Sequence, residues 1–246
     1  MDITPHKVIF SQSGMSQTKI TVCTTLYNYE AYICEALNSI AAQTLETFDL
    51  IVVEDRSQDN SLKIALDWIQ SHAQRFNSIY VLQQDYNNGT AHARNTGFQA
   101  AQTEVIFVLD ADNQVYPRCL QRCLEALQVC DAAFAYPVIE DFGDRIALRG
   151  VDVWSVDRLS RGNYIDAMTM IRKACWSQVG GYSSLRGWED YDLWCKFASA
   201  GFWGVQVPEI LARYRVHSDS KTYTQNVPLM SKMVAGIKQR HPWLRI

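Results

Sequence analysis

Long apolar runs are missing from this 246-residue chain. No stretch approaches the ~20 residues that span a bilayer. Paired cysteines are missing too: the seven cysteines are odd in number and none form Cys-x-x-Cys, which argues against a disulfide framework and a zinc ribbon. Cys119 and Cys123 share a predicted helix face and read as core. Positive charge is not in excess, since 23 Lys and Arg face 26 Asp and Glu for a net charge of -3. With no basic stripe interleaved with aromatics, nucleic acid is not an expected partner. The Gly-x-Gly-x-x-Gly turn of dinucleotide enzymes does not follow the first strand-like run. The opening MDITPHKVIF lacks the basic-then-apolar build of a secretory leader, so a reducing, cytoplasmic setting is expected.

What is present fits one enzyme-sized domain, with 48% hydrophobic and 20% charged residues. Residues 1–18 end in the polar stretch SQSGMSQT and read as a flexible N-terminal arm, with the fold starting at Lys19. Strand-like and helix-like patterns then alternate: strands at 20–25, 48–54, 78–82 and 105–109, helices at 30–43, 60–73 and 90–101. Such alternation implies right-handed crossovers and a parallel sheet, hence a Rossmann-like first half over about 19–115. A helix from Pro117 to Val129, shorter strands and a looped segment near Asn163 follow, then a helix over 189–200. These define a second half, about 116–220, and a C-terminal helical tail over 221–246.

The chemistry gathers where strands end. Val105 to Leu109 delivers Asp110-Ala111-Asp112, alternate carboxylates suited to a hard cation and its phosphate ligands. The first strand ends in Thr24-Thr25-Leu26-Tyr27-Asn28, where an aromatic could flank a base or Asn28 could cap the next helix. The second ends in Glu54-Asp55, with Asp59 or Asn60 as the next helix cap. Between these strand ends and Asp110, Asn87-Asn88-Gly89 offers a tight turn and Arg94 stands on the first turns of a helix; His92 reads as exposed or capping. Further on, Glu189 and Asp190 open a helix after Gly180-Gly181-Tyr182 and Trp188. His217 is either a surface residue or a third metal ligand.

In this order the segments ITVCTTLYNYEAYICEAL, LIVVEDRSQDNS, NNGTAHARNTG, VLDADN, VGGY followed by WEDYDLW, and YRVHSDS resemble the family 2 glycosyltransferases. The resemblance runs over about residues 20–220. It implies the GT-A fold, α/β with a mixed, mainly parallel central sheet flanked by helices and a smaller acceptor-side sheet. It also implies an inverting, metal-dependent transfer from a nucleoside diphosphate sugar, UDP-sugar by default, to a saccharide or lipid-linked acceptor in cell-surface polysaccharide or glycolipid synthesis. Carried across residue by residue, it makes Thr25, Tyr27, Glu54, Asp55, Asn87, Gly89, Arg94, Asp110, Ala111 and Asp112 the nucleotide-sugar set. Asp112, Asp110 and His217 would bind Mn2+ or Mg2+, Asp190 would be the catalytic base, and Trp188 and Glu189 would face the acceptor.

Three positions depart from the family pattern: Thr25 stands where proline is common, Glu54 replaces the first of two aspartates, and Arg56 replaces a small residue. They bear on donor choice. A sugar nucleotidyltransferase would carry a Gly- and Arg-rich loop where Leu26-Tyr27-Asn28 stands, and an aspartyl phosphatase would place Asp-x-Asp on the first strand. The remaining alternative is a catalytically silent module of the same fold that only binds nucleotide sugar. In the tail, Lys232, Lys238, Arg240 and Arg245 stand without an acid between 231 and 246, so either a solvated helix face or a peripheral membrane contact is expected there.

Overall fold

A computed structural model describes residues 3–185, 187–218 and 227–246. The first half comprises β1 (His6–Gln12), β2 (Ile20–Leu26), α1 (Ile33–Ala41), β3 (Asp49–Glu54), α2 (Ser61–His72), β4 (Ile79–Gln84), α3 (Thr90–Ala100) and β5 (Val105–Asp110). The second comprises β6 (Gln114–Val115), α4 (Cys119–Gln128), β7 (Phe134–Gly143), β8 (Ala147–Arg149), α5 (Val156–Ser160), β9 (Met170–Arg172), α6 (Lys173–Gln178), α7 (Glu189–Ser199), β10 (Gly204–Val216) and α8 (Val227–Arg240).

Strands β4, β3, β2 and β5 lie side by side in parallel, as the alternating pattern predicts. Buried on both faces, β2, β3 and β5 are near-continuous apolar runs, as covered parallel strands are. Their side chains alternate cleanly. Leu50, Val52, Phe107 and Leu109 join α1, α2 and α4 in one core, whereas Ile51, Val53, Ile106 and Val108 join α3 and α7 in the other. Gly97 lets α3 lie directly on the sheet: a Cβ there would stand 2.3 Å from Cys23 Sγ.

Two expectations need correction. Residues 6–12 are not a loose arm; they form β1, antiparallel to β4 along the sheet edge. This edge position covers the otherwise unpaired side of β4. The expected smaller acceptor-side sheet does not stand apart either. Strand β9 runs antiparallel to both β5 and β7, so one ten-stranded sheet continues in the order β1-β4-β3-β2-β5-β9-β7-β10-β6, with β8 on β7.

The tail is partly docked. Ile237 and Leu244 are buried in the second core, and Asp192 at the start of α7 holds Arg240 Nε at 2.7 Å and His241 Nε2 at 2.9 Å. Arg245 meets Asp157 at 3.0 Å. Lys238 Nζ donates to the Ile246 carbonyl at 2.9 Å, so three of the tail's four cations are spent on the protein itself. Residues 221–226 of the expected tail, and Asp219 and Ser220 of the last motif, lie outside the described residues.

Candidate active site

The parallel strands β2, β3 and β5 all end at one edge of the sheet, where α/β folds bind ligands. A cleft of about 560 Å³ opens there, bordered by Thr25, Tyr27, Asp55, Arg94, Asp110, Asp112, Trp188, Glu189 and Asp190. Segments more than a hundred residues apart in the chain therefore share one cavity of ligand-binding size.

Local hydrogen bonds explain how the loops reach it. Gln58 N donates to Asn28 Oδ1 at 2.8 Å and Glu30 N to Asp59 Oδ2 at 3.0 Å, so each loop is tied to its neighbour. Asn28 therefore joins two loops rather than capping α1, whose start has no side-chain cap. Asp59 does cap in part, accepting from Ser61 N at 2.9 Å. Among the described residues, the non-glycine residues with positive φ are Asn28 (55°), Arg56 (65°) and Trp188 (57°), all in loops at the cleft. Residues of this kind cost backbone energy and persist only where surrounding contacts enforce them.

Asp55 and Glu54 point to different tasks. The Asp55 carboxylate accepts from Asn88 N at 3.0 Å and Gly89 N at 2.9 Å, and Asn87 Nδ2 donates to its carbonyl at 2.9 Å. Gly89, at φ 87°, supplies the turn that presents both amides. Glu54 accepts from Ser57 N and from Gln83 Nε2, so it fastens the loop from below and does not border the cleft. Nor do Asn87, Gly89, Ala111 or His217; the first two shape the Asp55 loop, and Ala111 is buried in the core beneath it.

At the end of β5, Asp110 Oδ1 accepts from Arg94 Nη2 at 2.8 Å, and Arg94 Nη1 stands 3.5 Å from Glu189 Oε1. Arg94 is almost fully buried and so braces α7 to the sheet edge. Burial disfavours its charge, but Asp110 and Glu189 outweigh that and hold it firmly protonated. Arg215 donates from Nε to the Asp112 carbonyl at 3.0 Å, fixing the turn that carries this aspartate.

Asp112 is buried, and burial together with the Asp110 charge pushes its carboxyl up to about 6. His217 Nε2 stands 3.3 Å from Asp112 Oδ2, and its Nδ1 is buried with no hydrogen-bond partner among the described residues. A carboxylate and an imidazole at this separation suit a divalent cation that completes its shell from substrate phosphate and water. Among the described residues no cluster of three or more His, Cys, Asp or Glu stands ready to hold a metal alone. Asp110 already gives one oxygen to Arg94.

Asp190 opens α7 on the opposite wall. Asn163 Nδ2 donates to its Oδ2 at 2.9 Å and Tyr191 N to its Oδ1 at 2.8 Å. Burial, then the neighbouring Glu189 charge, raises this carboxyl to about 7. The Gly180-Gly181 loop that leads here is anchored by Asn95, which exchanges hydrogen bonds of 2.9 Å with both the N–H and the carbonyl of Tyr182. A Cβ on Gly181 would stand 2.9 Å from Asn95 Oδ1, and its φ of 70° favours glycine as well. Arg186, in the same motif, lies outside the described residues.

The sequence reading missed several cleft residues. Asp166 lies between the walls, its charge felt by Asp190 and balanced in part by Arg149. Burial pushes its carboxyl up, while Met168 N donates to its Oδ1 at 3.0 Å. Asn163, Tyr164, Arg145, Arg149 and Arg158 also border the cavity. In the sequence the segment Arg161-Gly162-Asn163 shows only the character of a loop. No periodic pattern marks these residues, because the fold rather than local spacing brings them in.

The fold is shared with known enzymes. It matches residues 1–349 of S. aureus TarS in complex with UDP-GlcNAc (TM-score 0.70, 18% identity, 88% of this chain and 66% of that one). It also matches the mannosyltransferase PcManGT from Pyrobaculum calidifontis in complex with GDP-Man and Mn2+ (TM-score 0.67, 17% identity, 85% and 60% covered). The architecture is therefore that of GT-A glycosyltransferases. The profile described as Glycosyl transferase family 2 matches residues 21–186, and the chain belongs to that family. Among curated relatives, the putative glycosyltransferase EpsE of Bacillus subtilis is 28% identical over 215 residues, covering 83% of this chain and 76% of its own length.

Proposed function

We propose that the chain transfers a sugar from a nucleoside diphosphate sugar, in the first instance a UDP-sugar, to an acceptor hydroxyl with inversion at the anomeric carbon. The observation that carries this reading is the single cleft shared by Asp55, Asp112 and Asp190, with Asp190 raised to about 7. A base poised near neutrality is what proton removal from a sugar hydroxyl requires. TarS solved with UDP-GlcNAc and PcManGT solved with GDP-Man and Mn2+ support the donor class and the cation.

In this reading Asp55 and its amide-bearing loop receive the base or ribose, with Thr25 and Tyr27 alongside, while Asp110 and Asp112 face the diphosphate. A divalent cation held by Asp112 and His217 would neutralise charge on the departing diphosphate. Asp190 takes the proton of the acceptor hydroxyl as its oxygen attacks the anomeric carbon and the bond to the phosphate oxygen breaks. Asn163 fixes the direction of that carboxylate, and Glu189 keeps its proton affinity high. One base suffices because a nucleoside diphosphate leaves without protonation, whereas a glycosidase needs a second carboxyl group. Trp188 borders the acceptor side of the cleft. The acceptor itself, saccharide or lipid-linked, belongs to this proposal, as do cell-surface polysaccharide or glycolipid synthesis and a peripheral position at the inner membrane face.

The test is a panel of nucleotide sugars screened by thermal shift with Mn2+ or Mg2+, followed by UDP release. A selective stabilisation and metal-dependent release are expected. Binding without release, even with acceptors supplied, would leave a silent binding module instead.

A further inference from the structure

Asp166 stands between the two walls of the cleft, and the transfer step leaves it without a task. Its place is fixed from both sides. Downstream, β9 runs antiparallel to β5 with Met170 opposite Phe107, and Val108 N donates to the Thr169 carbonyl at 3.0 Å. Followed backward along the chain, antiparallel pairing brings Asp166 toward the tip of β5, which carries Asp110 and Asp112. Upstream, Trp194 Nε1 of α7 donates to the Ile165 carbonyl at 3.0 Å, tying the same segment to the helix that opens with Glu189 and Asp190.

The Asp166 carboxylate is only half engaged. Its Oδ1 accepts from Met168 N at 3.0 Å, whereas Oδ2 has no hydrogen-bond partner among the described residues, and the side chain borders the cleft. Burial raises this carboxyl, Arg149 draws it back, and Asp110 adds to the rise. An acceptor oxygen facing a cavity without a donor suits a ligand that brings one, such as a hydroxyl.

The arginines around it are all engaged. Arg94 meets Asp110 and Glu189, Arg145 meets Asp141, Arg149 meets Asp141 and faces Asp166, and Arg158 meets Asp152. Among the described residues no lysine borders the cleft. An anionic group entering between Asp110, Asp166 and Asp190 therefore meets like charges and no unpaired cation.

We propose that Asp166 selects the transferred sugar: its Oδ2 accepts a hydrogen bond from a hydroxyl of that sugar, and its charge keeps out sugars that bear a carboxylate. A sugar that leaves a diphosphate at Asp110 and Asp112 for an acceptor at Asp190 lies across the gap where Asp166 stands. The donor class is thereby narrowed to nucleotides of neutral sugars, with those of uronic acids excluded. The inference deepens the transferase reading and rests on it.

The test is calorimetric binding to the full chain with Mn2+ of two ligand series: UDP, UDP-glucose and UDP-glucuronic acid, and GDP, GDP-mannose and GDP-mannuronic acid. On the nucleotide that binds, the neutral donor should bind about tenfold or more tighter than its uronic counterpart. Equal binding of the two by the wild type overturns the proposal, and that comparison needs no variant to fold. Asp166→Asn keeps an oxygen for Met168 N and removes the charge, so the two donors should approach parity while the bare nucleotide binds as before. Asp166→Ala should close the gap too and weaken the neutral donor about threefold to tenfold, as the hydroxyl loses its acceptor. An undiminished gap in either variant, with the bare nucleotide still bound, shows that shape rather than Asp166 discriminates and overturns the proposal. If neither UDP nor GDP binds the wild type, the transferase reading itself fails, and this inference falls with it.

Discussion

The two walls of the cleft hold their polar groups by different means. On the sheet wall, Asp55 is gripped by the amides of Asn88 and Gly89, and beneath it, away from the cleft, Glu54 is held by the amide of Ser57. On the opposite wall the partners are mostly side chains: Arg145 and Arg149 on Asp141, Arg158 on Asp152, Asn163 on Asp190. Backbone donors are supplied by the chain path whatever the side chains, so a wall built on them keeps one geometry. Side-chain pairs change with one substitution. The difference teaches that the sheet wall is set by the fold, whereas the opposite wall is open to adjustment residue by residue. Arg94 spans the two through Asp110 and Glu189.

The largest effect is expected at the opposite wall. Asp190→Asn should reduce turnover by about 10²–10⁴-fold while nucleotide-sugar stabilisation is kept; turnover near wild type would remove Asp190 from its role. Cutting the link between the walls comes next. Arg94→Met leaves two carboxylates without their buried partner and should cost about 3–5 kcal/mol in urea unfolding, and a loss within the range of an ordinary surface substitution would show that Arg94 braces nothing.

A smaller effect is expected where α8 docks. His241, Lys196, Ser183 and Arg240 outweigh burial and hold the Asp192 carboxyl well below the usual carboxylate range. Its folded-state proton affinity is depressed, so its stabilisation is present above the ordinary aspartate range and is lost as pH falls below it. Asp192→Asn should cost about 1–3 kcal/mol near neutrality and flatten the acid limb of the stability curve; an unchanged acid limb would contradict the assignment.

The mildest change should be in the pH profile. With Asp190 raised to about 7, the rate should climb with pH through that region as the base loses its proton. Glu189→Gln removes a charge that raises Asp190 and should move the rise toward lower pH. A shift toward higher pH would mean that Glu189 acts chiefly through Arg94.

Much of the sheet wall was legible because local pattern and strand ends coincide. The run 105–109 led straight to Asp110 and Asp112, and the helix beginning at Glu189 was placed at its first residue. Strand β1 was not legible: its side chains are mostly exposed and its partner β4 lies far along the chain, so no alternation of burial marks it. Glu54 was assigned to the nucleotide because its position matched a family motif. The structure shows it satisfied by Ser57 and Gln83 beneath the loop. Asp166 and Arg149 were missed for the opposite reason, since each lies in a short irregular segment whose neighbours are supplied from elsewhere.

The succession of strands and helices along the first half, the burial of β2, β3 and β5 and the placing of carboxylates at their ends follow from the sequence, because hydrophobic period and chain direction are local properties. Which carboxylate faces the cleft, which is spent on a backbone amide and how one buried aspartate comes to serve two arginines were decided by tertiary structure. Those outcomes depend on distances between segments far apart in the chain, and only packing fixes them.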